Sequence, residues 1–203
     1  MNTPAEINKK KKLVLFDFDC TITTEDTFLL FFKFTFGTIK FYTGFALHLP
    51  LFLFLKLKMY DAGKLKKSIL SFYLKNKKQD EMKIMGDNFV KFLLEEGIVK
   101  KEFLDKISKY KKEEYEISIV SASPDLWIKP FSESVKIDFI CTELEYVENI
   151  FSGKLSSENC NHEEKKNRIL KRYKLEDFDE IIVYGDNAGD KYMMELATKK
   201  NWV

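Results

Sequence analysis

Strong net charge, paired cysteines and a membrane-length uncharged run are missing from this sequence, and arginine is scarce. Its 34 basic and 32 acidic residues leave a formal charge of +2 over 203 residues, too weak a field to favour nucleic acid as a partner. Arg168 and Arg172 are the only arginines. Cys20, Cys141 and Cys160 are odd in number and lack paired spacing, which argues against a disulfide framework and for a reducing, cytoplasmic setting. No second ligand pair follows Cys160 and His162, so zinc is not expected. The uncharged run 41–55 falls short of the roughly 20 apolar residues of a spanning helix and is bordered by Lys40, Lys56 and Lys58. The polar start, residues 1–12, ends in four lysines. It has no signal-peptide apolar segment and is expected to fray. A 45% hydrophobic content is ample for one domain, or for a core with a modest insertion.

Against this background one stretch stands out. Leu13-Val14-Leu15-Phe16 reads as a strand buried on both faces, and Asp17 and Asp19 arrive at its C-terminal end. Side chains alternate along a strand, so both carboxylates can lean toward one opening. The carboxyl edge of a parallel sheet is where open α/β folds bind ligands. Two acids so close repel each other and call for a cation or a shared proton. An acidic strand-to-loop junction without chemistry is the bland alternative.

Beyond Asp26, strand patterns vanish until residue 117. Residues 28–54 hold nine of the nineteen phenylalanines, with Gly44, His48 and Pro50 nearby, and predict two or three helices, one begun or kinked by Pro50. Residues 64–75, 81–95 and 100–111 predict further helices, making 27–111 an all-helical insertion. Buried helical core is the expected role of 41–55; the alternatives are contact with a bilayer or with a greasy substrate. His48 is expected to be structural. Strands are predicted at 117–120, 139–142 and 181–184, with a small hairpin from 145–147 and 151–155. Helices are predicted near 126–131, 161–174 and 191–197. A fifth strand would be very short, or would continue past residue 203. Alternating strands and helices imply an α/β, doubly wound parallel sheet, with residues 1–26 and 112–203 forming the core.

Asp17-Phe18-Asp19-Cys20-Thr21 resembles the first motif, Asp-x-Asp-x-Thr/Val, of the haloacid dehalogenase (HAD) superfamily of phosphohydrolases. Ser121, Lys165 or Lys166, and Asp186 with Asp190 follow in the order of the other three motifs. The wording Val-Ser-Ala-Ser-Pro, Cys-Asn-His-Glu-Glu-Lys and Tyr-Gly-Asp-Asn-Ala-Gly-Asp is most similar to subfamily IB. That branch contains phosphoserine phosphatase and a group related to phosphatidylglycerophosphatase C. The resemblance implies a HAD-like Rossmannoid core with a helical C1 cap. It also implies a Mg²⁺-dependent phosphomonoesterase that works through an aspartyl-phosphate.

Carried over residue by residue, the resemblance makes Asp17 the nucleophile and Asp19 the general acid and base. Asp17, Asp186 and the main-chain carbonyl of Asp19 become the Mg²⁺ ligands. Ser121 donates to a phosphoryl oxygen, and Lys165 neutralises charge; its spacing from Cys160 fits better than that of Lys166. Asp190 orients the lysine or metal-bound water, and Thr21 fixes the turn that aims Asp19. The plainer readings are a helix cap for Ser121 and an ordinary N-terminal helix acid for Asp190. Asp26 falls where the phosphoserine branch has a cap-side glutamate, but no arginine stands in the cap to hold a substrate carboxylate, which disfavours phosphoserine. The expected substrate is a small soluble organic phosphate. The alternatives are a lipid phosphate at a membrane surface, with the protein peripheral to the inner membrane, and a catalytically silent HAD-like binding protein.

Overall fold

Four fully buried residues in a row, Leu13 to Phe16, make the first strand the centre of the molecule. In the computed structural model, which describes residues 11–57 and 59–203, β1 is Lys11–Phe16. Residues 1–10, most of the segment expected to fray, lie outside the described residues. Val14 and Phe16 point into one core cluster and Leu13 and Leu15 into another on the opposite face, as strand alternation requires.

The remaining strands are β2 (Glu116–Pro124), β3 (Asp138–Thr142), the hairpin β4 (Leu144–Val147) and β5 (Ile150–Leu155), β6 (Phe178–Gly185) and β7 (Lys199–Trp202). Five of them form a parallel sheet in the order β3-β2-β1-β6-β7. The chain winds outward from β1 through β2 to β3, then crosses back to β6 on the other side of β1. The carboxyl ends of β1 and β6 therefore flank the switch point at which such sheets bind ligands. The short β7 pairs with β6 from Ile182↔Lys199 to Gly185↔Trp202. Glu148 and Asn149 both take positive φ in the β4–β5 turn, the geometry that suits the twist of a two-residue hairpin.

Helices cover both faces. On one lie α6 (Glu163–Arg172) and the four-residue α7 (Lys191–Met194), with Ile169, Met193 and Met194 packed on Leu13, Leu15 and Val183. The other carries α5 (Asp125–Val135) and the inserted helices α1 (Thr27–Lys56), α2 (Ala62–Leu74) and α3 (Gln79–Glu95). It also carries α4 (Lys101–Lys112), whose Phe103 packs edge-on against Phe16 at 5.8 Å and Tyr184 at 5.7 Å. Within the insertion predicted over 27–111, α4 is the helix that packs on the sheet. Its two stems pair with each other: Thr24 N–H donates to Ile98 O and Lys100 N–H to Ile22 O, both at 2.9 Å.

Within α1 the phenylalanines divide. Phe28, Phe31 and Phe32 are buried, and Phe31 stacks on Trp127 of α5 at 4.8 Å and meets Phe89 of α3 at 5.2 Å. Gly37, at φ 76° and ψ 166°, then breaks the helical path; Pro50 sits inside the second half without ending it. Gly44 lets α2 approach closely, since a Cβ there would stand 2.0 Å from the Tyr73 hydroxyl. That hydroxyl donates to Phe41 O at 2.9 Å. His48 is buried and structural, bonded to Gly44 O at 2.8 Å and Ser68 Oγ at 3.1 Å. The expectation of buried core for 41–55 does not hold, while the uncharged run itself, at 15 residues, is still short of the roughly 20 needed to span a membrane. By length and composition the whole of Thr27–Lys56 is long and apolar enough to cross one, and only 11% of its apolar 18-residue window is buried. One side packs on α2; among the described residues no element covers the other.

Candidate active site

Asp17 continues β1 by one residue, its N–H donating to Tyr184 O at 2.9 Å, and its side chain is buried. A wide turn follows, closed by Thr23 N–H on Phe18 O at 3.0 Å. Cys20 adopts φ 59° in that turn, and Lys100 Nζ holds its carbonyl at 2.8 Å. The turn swings Asp19 back, so that Asp17 and Asp19 line one cavity of about 200 Å³.

Asp17, Asp186 and Asp190 form an acidic cluster, each offering an oxygen within 4.8 Å of the others. Asp186 follows the last residue of β6; Asp190 is placed by a capping box with Asn187. Lys165, on the first turn of α6, is buried between them, its Nζ 2.5 Å from Asp17 Oδ1 and 2.6 Å from Asp190 Oδ1. Lys166 points outward to Glu195 at 2.8 Å. Burial pushes the Asp17 carboxyl up to about 7; Lys165 draws it down while Asp190 and Asp19 push it up. Burial would lower Lys165, but Asp17 and Asp190 outweigh it and raise its pKa, so the ammonium stays charged. Three carboxylates against one ammonium leave two negative charges when all are ionised, the charge of one divalent cation. The donors are all hard oxygens, which suit Mg²⁺ rather than a soft metal.

The second oxygen of Asp190 accepts from Asp186 N–H at 3.1 Å and Asn187 N–H at 3.4 Å. Asp190 therefore braces both Lys165 and the loop that presents Asp186. Thr21, expected to fix the turn that aims Asp19, donates its hydroxyl across that turn to Asp17 Oδ2 at 3.3 Å. The Asp19 carboxylate is held by Thr27, whose N–H (2.8 Å) and hydroxyl (2.5 Å) both reach Oδ1. Trp127 Nε1–H donates in turn to that hydroxyl at 3.0 Å. On Oδ2, Ser123 donates at 2.6 Å and Ser121 at 3.4 Å. Ser121 also accepts from Ser123 N–H at 2.9 Å, so its hydroxyl faces Asp19. The side chain of Asp19 stands outside the acidic cluster. Asp26 caps α1 by accepting from Phe28 N–H at 2.8 Å and lines the cavity.

Several lining residues escaped the sequence reading. Ser123 repeats Ser121 two positions on, and strand alternation alone puts both on one side; Ser123 is the one that lines the cavity. Lys66 comes from α2, far along the chain, and no local signal marks it. Its Nζ donates to Ala122 O at 2.7 Å and lies 5.2 Å from the Phe28 ring. Burial lowers its pKa, against the pull of Asp19 and Asp26.

Comparison with known proteins gives a concordant picture. The profile of the family described as haloacid dehalogenase-like hydrolase matches residues 14–195. Protein CicA of Caulobacter vibrioides (strain NA1000 / CB15N) is 28% identical over 203 residues, spanning 97% of this chain and 88% of its own. A solved protein of unknown function from Bordetella pertussis Tohama I superposes with a TM-score of 0.81 at 17% identity, covering 95% of this chain and 89% of that one. A phosphoserine phosphatase solved as a phospho-aspartyl intermediate analogue superposes with a TM-score of 0.63 at 19% identity, covering 95% and 86%. At these identities the two structures speak for the fold alone.

Proposed function

This chain belongs to the haloacid dehalogenase-like hydrolases, and on that premise we propose that it is a Mg²⁺-dependent phosphomonoesterase acting on a small phosphate ester through an aspartyl-phosphate. The observation that carries this reading is Asp17 at the sheet's switch point, buried, with the Lys165 ammonium on one oxygen. Mg²⁺, held by Asp17, Asp186 and the main-chain carbonyl of Asp19, would offset negative charge on nucleophile and ester. Asp17 forms the oxygen–phosphorus bond as the ester bond breaks. Asp19 gives a proton to the departing alkoxide, then takes one from the water that displaces Asp17 and releases inorganic phosphate. Lys165 balances charge on the phosphoryl oxygens, and the Ser121 and Ser123 hydroxyls supply donors beside Asp19. Hydrolysis of an aryl phosphate should fall about a hundredfold in excess chelator and recover with Mg²⁺. Undiminished turnover after exhaustive chelation would overturn the reading.

Lys66 bears on which ester fits. Both arginines serve the core: Arg168 binds Glu164 and Cys141 O, and Arg172 binds Asp138. A guanidinium clamp for a substrate carboxylate is therefore missing from the cavity, and Lys66 is the cap-side cation in its place. A lysine offers a point charge without the bidentate fork, which suits an ester bearing a second anionic group near the phosphate. Lys66→Met should raise KM for such esters by about tenfold to a hundredfold, the worth of one charge-assisted hydrogen bond, and leave KM for an uncharged aryl ester unchanged. Equal effects on both would reduce Lys66 to packing. One observation favours the second reading, an ester carried by a lipid: the uncovered apolar side of α1.

A further inference from the structure

We propose that the second half of α1, residues 38–56, is a docking element for an anionic lipid bilayer. The inference does not rest on the proposed activity. Ile39, Leu47 and Leu53 are 83%, 67% and 58% exposed, and with Tyr42, Leu49 and Phe54 they fall within an arc of about 160° on one helix side at 3.6 residues per turn. A shallow apolar groove of about 640 Å³ runs between Ala46, Pro50, Leu53 and Lys56 on that side. A patch of this kind is rare on a protein surface without a partner.

Charge selects the partner. Residues 27–60 contain no aspartate or glutamate but four lysines, at positions 33, 40, 56 and 58. Lys33, Lys40 and Lys56 are exposed. A second copy of the chain would bring lysines against lysines, whereas an anionic membrane accepts both the apolar side chains and the ammonium groups at its headgroup level. The helix is tied along one side to α2, by Tyr73 on Phe41 O and His48 on Ser68. It therefore lies lengthwise in the interface with its free side down. A groove beside His48, Lys64 and Lys67 adjoins a second that reaches Asn161, which also lines the cavity over Asp17.

The test is sedimentation of the full chain with vesicles of phosphatidylcholine alone, or with about a third phosphatidylglycerol. Wild type should pellet with the anionic vesicles and stay in solution with the neutral ones. The double substitution Leu47→Gln and Leu53→Gln should weaken binding at least tenfold, as should Lys40→Glu with Lys56→Glu. All of these side chains are exposed, so thermal midpoints should match wild type. Failure of wild type to pellet at either composition would overturn the proposal, as would unaltered binding by both variants. So would a lipid-free dimer that the leucine variant abolishes, which would assign the surface to a second copy.

Discussion

Asp17→Asn should lower turnover of any phosphate ester by about 10⁴-fold or more and abolish the acid-stable, hydroxylamine-sensitive label left by a ³²P-phosphorylated substrate. The magnitude follows from what the substitution leaves in place. Asparagine has the same shape, and its carbonyl oxygen can still accept from Lys165 at the position of Oδ1. What goes is the anionic oxygen that bonds to phosphorus, and no neighbouring group can replace it. Asp186 leaves the sheet on the far side of the cluster, Asp190 is held by Lys165 and two main-chain N–H groups, and Asp19 is held by Thr27 and the serines. The cluster also loses one of its buried negative charges, so the metal-free variant should be no less stable than wild type at pH 8. Lost turnover with an unchanged thermal midpoint separates chemistry from misfolding. Near-native turnover, or a phosphoryl label retained on the variant, would mean another nucleophile.

The parts of this site that were legible in the sequence are those whose geometry is local. Leu13 to Phe16 announce a central strand because a doubly buried parallel strand tolerates no polar residue, and Asp17 and Asp19 inherit their direction from it. Asp186 and Asp190 were legible for the same reason, at the end of Ile181 to Tyr184. Lys66 and Thr27 were not, because they come from the insertion and reach the cavity and Asp19, respectively, only through packing: Phe31 on Trp127 and Gly44 under Tyr73. The bond from Thr21 to Asp17 was not legible either, since a turn with Cys20 at positive φ carries its hydroxyl back to Asp17, and residue order does not encode that reversal.

The insertion shows a second limit. Composition could not say whether residues 41–55 face inward, because an apolar run has no polar side to mark solvent, and helical periodicity is read from contrast. The first ten residues of α1 hold five phenylalanines and the next twenty hold four among leucines; both parts are apolar, yet one is core and the other open. The difference lies in Gly37, which redirects the helix, and in how much of it α2 and α3 can cover.

Lys165→Met should cost at least about 10²–10³ in kcat and destabilise the metal-free protein, and the two losses should separate in a second substitution. Methionine matches the length of lysine but leaves Asp17 and Asp190 facing each other, both almost fully buried, without the ammonium at 2.5 and 2.6 Å. Breaking a buried pair from one side costs about 3–5 kcal/mol, because an uncompensated charge remains. The carboxyls can escape part of that cost by taking up protons. With Lys165 gone, burial and mutual repulsion act on Asp17 unopposed, so its folded pKa rises further above the unfolded value. A carboxyl raised in the folded state contributes no penalty below its unfolded pKa and an increasing one as pH rises toward the folded pKa. The gap in thermal midpoint between variant and wild type should therefore be small near pH 4 and widen toward pH 8. Adding Asp190→Asn removes one of the two opposed charges and should recover part of the midpoint at pH 8, a coupling expected of residues in one network. It should recover none of the turnover, since charge on the phosphoryl oxygens still goes unbalanced. Lys166→Met is the matched control: its pair with Glu195 is solvent-exposed, worth about 0–1 kcal/mol, and its loss should leave kcat unchanged. If Lys166→Met rather than Lys165→Met removed activity, the assignment of the lysine would be reversed; if the midpoint gap did not grow with pH, Lys165 would not be the charge that keeps Asp17 and Asp190 together.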